Sequence, residues 1–174
     1  MNIRRANLDD APAIARVHVD SWRTTYKNLL PAAFLDKLSY DQREKIWIKN
    51  LQQDDLYMWV VENDTGEIVG FATTNTRESN SVPNATDLTS LYLLESYQGL
   101  GLGRRLMDTL FAHYKQHGYS HVFVEVLKDN PTKQFYEAFG AEHVKDVPLT
   151  IGGTTILESI YVWNLPVAEK ETTR

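Results

Sequence analysis

The chain has no cysteine. That excludes disulfides, thiolate metal sites and a cysteine-linked acyl-enzyme, and it fits a cytoplasmic setting. No metal site is expected. No apolar run approaches the roughly 18 residues that a membrane span requires. The opening stretch MNIRRANLDD has basic residues with no apolar region behind them, so no secretory signal is read. Positive charge is in deficit, with 18 Lys and Arg against 23 Asp and Glu and a net charge of −5. Nucleic-acid binders usually carry a basic excess, so neither a nucleic-acid nor a membrane partner is expected. An acidic chain tolerates a cationic small substrate. Repeats, low-complexity tracts and long linkers are also missing.

What is present suits one ordinary globular unit. At 174 residues, with 43% apolar and 24% charged residues, the chain has length and apolar content for one core. We read residues 1–166 as a single domain and 167–174 as a C-terminal tail. NIRRA is a candidate short strand. In the helix that follows, Asn7 is the candidate N-cap, and Ala11, Ile14, Ala15, His18 and Trp22 share a face. Short helices are expected from Pro31 and over 41–53. The period then changes, and 57–62 with 68–76 read as a hairpin around the turn NDTGE. DLTSLYLL is a central strand. Leu102, Leu106, Leu110 and Tyr114 mark a helix ending at Gly118. HVFVEVL is a strand, apolar but for its first residue and Glu125. NPTKQFYEAFG is a short helix with Asn130 as N-cap and Pro131 at N1. A final hairpin turns at Gly152 and Gly153. The fold class is therefore α+β, or mixed α/β, around one sheet.

Between DLTSLYLL and the long helix lies the run Gln98-Gly99-Leu100-Gly101-Leu102-Gly103. Bare backbone before a helix lets N–H groups and the positive end of the helix dipole face a phosphate. A tight turn with no ligand would use the same residues. A P-loop needs Lys-Ser/Thr after the last glycine, and Gly103 is followed by Arg104 and Arg105. A dinucleotide fingerprint needs a third glycine where Arg104 or Leu106 stands, although Glu125 is placed for a ribose.

The pattern Q-x-x-G-x-G fits. The segment LTSLYLLESYQGLGLGRRLMDTLFAHYKQHGY, followed by VLKDNPTKQFYEAFGAE, resembles the acetyl-CoA site of the GNAT superfamily of N-acetyltransferases. The resemblance runs over about residues 57–163, with ARVHVDSWRTTYKNLLPAAFLDKL also similar to many bacterial members. It implies a GNAT-like fold, a central and mostly antiparallel sheet of about six or seven strands with a parallel, splayed pair, flanked by helices. It implies acetyl transfer from acetyl-CoA to a primary amine of a small-molecule acceptor. With no cysteine, direct attack in a ternary complex is the simpler route.

The site residues follow from the matching positions. Backbone amides of Leu100, Gly101, Leu102, Gly103 and Arg104 would hold the pyrophosphate, with Gln98 and Gly99 in the same loop. Leu91, Tyr92 and Leu93 would offer exposed backbone to the pantetheine arm, and an N–H near Leu91 would face the oxyanion. Tyr136 matches the general acid, though Phe135, Tyr136 and Phe139 also read as core aromatics. Asn130 is a cap, a cofactor contact or both, and Lys133 could reach a phosphate. Asp87 and Glu95 are the candidate general bases, each equally a solvated strand-end charge, with His18 a lesser option. Trp22 and Tyr26 would wall the acceptor site or fill the core. Trp59, Tyr92 and Trp163 would line the cleft or the sheet. Two rival readings are a non-catalytic acetyl-CoA sensor and a dinucleotide-binding oxidoreductase. A homodimer is common among such folds, but no surface in the sequence compels one.

Overall fold

The structure is a computed structural model that describes residues 1–166. The tail expected over 167–174 lies outside the described residues. These form seven strands and five α-helices in the order β1 (Asn2–Arg5), α1 (Ala11–Thr25), α2 (Ala32–Asp36), α3 (Tyr40–Leu51), β2 (Tyr57–Glu62), β3 (Ile68–Asn75), β4 (Ala85–Leu93), α4 (Leu102–Gln116), β5 (His121–Leu127), α5 (Thr132–Ala138), β6 (Glu142–Ile151) and β7 (Thr154–Asn164). One sheet runs β1-β2-β3-β4-β5-β7-β6. Every neighbouring pair is antiparallel except β4 with β5.

Side-chain alternation gives the sheet two buried faces. Met58 and Val60 point into a cluster with Ala11, Ile14, Ala15 and Val17 of α1 and Trp47 of α3. Trp59 and Val61 point the other way, into a core with Leu102, Leu106, Leu110 and Tyr114 of α4 and Tyr136 of α5. Each leucine buried there contributes about 1.5–3 kcal/mol. The 3-10 turn Leu8–Asp10 that leads into α1 is fixed by a reciprocal cap. Asp9 N–H donates to the Asn7 side chain and Asn7 N–H donates to Asp10. Arg4 then donates to both Asp10 oxygens at 2.8 Å, which holds that carboxyl below its usual range.

Two irregularities in β4 position the site. Thr73 pairs with Ser90 but Thr74 pairs with Leu88, so Thr89 is an extra residue with no counterpart on β3. On its other edge β4 pairs with β5 only from Ala85–His121 to Leu88–Val124. Beyond that point β4 stays with β3 and β5 stays with β7, reaching Leu127 opposite Glu158. The sheet thus opens into a wedge from Thr89 onward. Gly70 supports the far end of β4, because a Cβ there would fall 2.9 Å from the Tyr92 carbonyl oxygen and against the Leu93 side chain.

Candidate active site

The wedge between β4 and β5 is the mouth of a cleft of about 760 Å³. One wall is Thr89, Leu91, Tyr92 and Leu93 of β4, and the opposite wall is Glu125, Val126 and Leu127 of β5. The glycine loop closes one end, with Gln98, Gly99, Gly101, Gly103 and Arg104 on the lining. Asn130, Phe135 and Tyr136 come in from the α5 side, and Trp22, Tyr26 and Leu30 from the end of α1 and the chain beyond it. Such a long, partly apolar cleft with few polar groups is the ordinary form of a ligand site.

Gly101 is the N-cap of α4 in the left-handed region, with φ 79°, and nothing lies within 4 Å of where its Cβ would be. It offers no side-chain cap, and the first helical bond runs from Arg105 N–H to its carbonyl at 3.1 Å. The amides of Leu102, Gly103 and Arg104 are therefore left without helical partners. Gly103 has a second reason to be bare, since a Cβ would come 3.2 Å from Phe135. Gln98 ties the loop to the strand end by donating from Nε2 to the Leu93 carbonyl at 3.1 Å. The Leu102 side chain is in the core, while that of Leu100 is exposed at the loop tip. Arg104 lies over the Phe139 ring at 5.1 Å, and Arg105 reaches the Met1 carbonyl instead.

Tyr136 is 5% exposed yet lies on the cleft wall, and its hydroxyl has no hydrogen-bond partner among the described residues. Burial pushes this phenol above its ordinary pKa, with the Tyr92 and Tyr114 phenols adding to the shift, so it is held neutral and able to donate. Asn130 is buried, accepts from Thr132 N–H at 3.0 Å and also lines the cleft. Its neighbour Lys133 lies off the lining, with its ammonium donating to the Lys128 carbonyl at 2.7 Å.

The aromatic stripe of α1 divides. His18 is buried against Trp47, whose indole N–H donates to His18 Nδ1 at 3.0 Å. Burial lowers its pKa to about 3, so it is neutral and serves packing. Trp22 and Tyr26 reach the cleft, their rings edge to face at 4.9 Å. Trp59 and Trp163 are in the core under α4 and α5, away from the lining.

The carboxylates are arranged differently from the sequence-based expectation. Asp87 is 3% exposed and is taken up by Arg77 N–H (3.0 Å), the Arg77 guanidinium (3.2 Å) and Asn80 (2.9 Å). Glu95 is exposed in the turn after β4. Neither lies on the cleft. The carboxylates on the cleft are Glu125 and Glu158, with Arg77 beside Glu125 at 3.5 Å. Glu125 was visible as the acid inside an apolar strand, and Glu158 stands the same way in TTILESIYVWN. Their adjacency depends on the β5–β7 register and has no local signal.

A sheet split at a parallel pair, with free amides of a helix N-terminus at one end of the gap and a buried phenol over its middle, is the geometry of an acyl-transfer enzyme with a phosphate-bearing donor. Residues 18–141 match the Acetyltransferase (GNAT) family, and the chain belongs to it. The uncharacterized N-acetyltransferase YuaI of Bacillus subtilis is 34% identical over 163 residues, covering 94% of this chain and 92% of the relative. In fold, the chain is similar to the PaiA N-acetyltransferase of Thermoplasma acidophilum in complex with coenzyme A, at TM-score 0.78 and 18% identity over 94% of this chain and 98% of that one. It is also similar to the ribosomal-protein-alanine N-acetyltransferase of Brucella melitensis, at TM-score 0.76 and 21% identity over 95% of this chain and 100% of that one. The protein is thus an acyl-CoA-dependent acetyltransferase.

Proposed function

We propose that the chain transfers the acetyl group of acetyl-CoA to a primary amine of a small-molecule acceptor, in a ternary complex. The free amides from Gly101 to Arg104 bind the pyrophosphate. Unpaired backbone of Leu91, Tyr92 and Leu93, on the β5 side of β4, takes the pantetheine arm as an added strand. The Leu91 N–H faces the carbonyl oxygen, where charge develops during attack. Tyr136 protonates the departing thiolate. Asn130 borders the donor from the α5 side.

One observation carries the choice of a small acceptor. A Cβ at Gly152 would fall 2.9 Å from Phe34, so the tip of the β6–β7 hairpin rests directly on α2. Phe34, Leu35, Leu149 and Ile151 pack there with Trp22, Tyr26 and Leu127. Leu149 and Ile151 of that hairpin border the cleft beside Trp22, Tyr26 and Leu30, which narrows the acceptor end, whereas an extended peptide docks in an open groove. The test is a panel of small amines alongside alanine-headed peptides, followed by release of free thiol from acetyl-CoA. Turnover with small amines supports the reading, and turnover confined to peptides overturns it.

A further inference from the structure

Direct attack needs a neutral amine, and a primary amine in water at neutral pH is mostly ammonium. The cleft must contain a group that takes the proton. Asp87 is fully engaged in its buried pair, Glu95 is outside, and His18 is sealed behind Trp22, Trp47 and Tyr92. Resting on the reading of the chain as an amine acetyltransferase, we propose that Glu158 is the carboxylate that accepts the acceptor's proton, with Glu125 beside it setting when it does so.

The geometry singles out Glu158. It projects from β7 opposite Leu127, at the unpaired end of β5. Glu125 faces Ile160, so the two glutamates are diagonal neighbours on one face of the β5–β7 pair. That face carries Leu127, which packs with Trp22 and Tyr26 at the acceptor end. Glu158 is half-buried and lines the cleft, and it has no hydrogen-bond or ion-pair partner among the described residues. A half-buried carboxylate with nothing donating to it is costly unless a ligand cation arrives.

The titratable and charged groups around it come from five elements and one loop, and they include Lys145 of β6, an exposed diagonal neighbour that pairs with Ile160 on the same face. Glu125 is on β5. Arg77, in the loop after β3, lies 3.5 Å from Glu125 and is already paired with Asp87. Tyr26 at the end of α1, Tyr92 on β4 and Tyr136 on α5 complete the surroundings, and the Tyr26 phenol is raised partly by Tyr92, Tyr136 and Glu158. Burial first, and the neighbouring Glu125 second, push the Glu158 carboxyl above its ordinary value, with Arg77 opposing. This moves its titration toward the neutral range, where a general base works best.

The protons balance as follows. Glu158 takes one proton from the ammonium, and the freed nitrogen forms its bond to the acetyl carbon. As the C–S bond breaks, Tyr136 gives its proton to the thiolate and is restored by the second proton from nitrogen, while Glu158 releases the first to solvent, so one proton per turnover is lost.

The test compares two surrogate acceptors with acetyl-CoA. n-Propylamine is protonated at neutral pH, whereas hydroxylamine is already neutral. Glu158→Gln keeps the shape and removes the basic group. We expect it to lower kcat/KM for n-propylamine by about 10²- to 10⁴-fold and to abolish the acidic limb of the pH profile, with hydroxylamine nearly unaffected. Glu125→Gln should shift the acidic limb to lower pH. Equal losses for both amines, or a retained acidic limb in Glu158→Gln, would overturn the proposal. Calorimetry with acetyl-CoA checks folding of the variant, and Glu158→Ala, which also removes the basic group, replaces it in the same comparison if Glu158→Gln fails to bind. A wild-type chain that binds no acetyl-CoA overturns the functional reading, and this assignment with it. Turnover left intact in Glu158→Gln overturns the assignment alone.

Discussion

Tyr26 at the end of α1 and Tyr92 in the splayed part of β4 meet hydroxyl to hydroxyl, 3.4 Å apart, across the acceptor side of the cleft. Burial pushes both phenols above their ordinary pKa, so both stay neutral. The contact links the end of α1 to the strand proposed to carry the donor. Tyr26→Phe should therefore raise the acceptor KM by about two- to tenfold, the value of one modest hydrogen bond. Acetyl-CoA affinity should not change. Steady-state kinetics with the donor saturating, beside donor calorimetry, checks this.

Tyr136→Phe removes only the proton that the proposed mechanism gives to the thiolate. We expect kcat to fall by about 10²-fold or more with acetyl-CoA affinity preserved. Unchanged turnover would show that the phenol is a packing residue.

Gly101→Glu should abolish acetyl-CoA binding while the chain still folds. The side chain would be forced into a left-handed conformation, at a cost of about 1–2 kcal/mol. Nothing within 4 Å of the Cβ position obstructs it, so the carboxylate would occupy the space proposed for the pyrophosphate. Calorimetry gives the affinity and thermal melting the stability.

His18 gives a pH dependence with a definite sign. Its pKa in the folded chain is lowered to about 3 by burial, from an ordinary value of 6.5. The unfolded chain binds a proton between those values and the folded chain does not. The His18 contribution is thus fully present above about pH 6.5 and declines as pH falls, by up to about 1.4 kcal/mol per unit. Urea denaturation from pH 7.5 to 4.5 should show a shallower acid loss in His18→Gln than in the wild type.

Local rules made most of the elements legible. The α1 stripe, the hairpin glycines 152 and 153, and the α4 repeat Leu102, Leu106, Leu110 and Tyr114 each follow from neighbours within one element, and each appears in the structure. The glycine loop was legible as bare backbone opening a helix, and Gly101 takes the left-handed N-cap position there. The carboxylates were not. Asp87 reads as a free strand-start charge, but the loop after β3 folds Arg77 and Asn80 onto it. Lys133 reads as a phosphate contact, but its ammonium reaches back to the Lys128 carbonyl. Glu158 and Glu125 become neighbours only through strand register, and the bulge at Thr89 exists only relative to β3. These are long-range facts that no window of sequence contains.

Because β4 and β5 part company after Leu88 and Val124, the sheet carries an open seam through its middle. A bound donor would stitch that seam with main-chain hydrogen bonds. At about 100 times its dissociation constant, such a molecule adds about 2.7 kcal/mol to the folded state. Resistance to heat and to proteases would then follow the supply of the substrate as well as the composition of the chain.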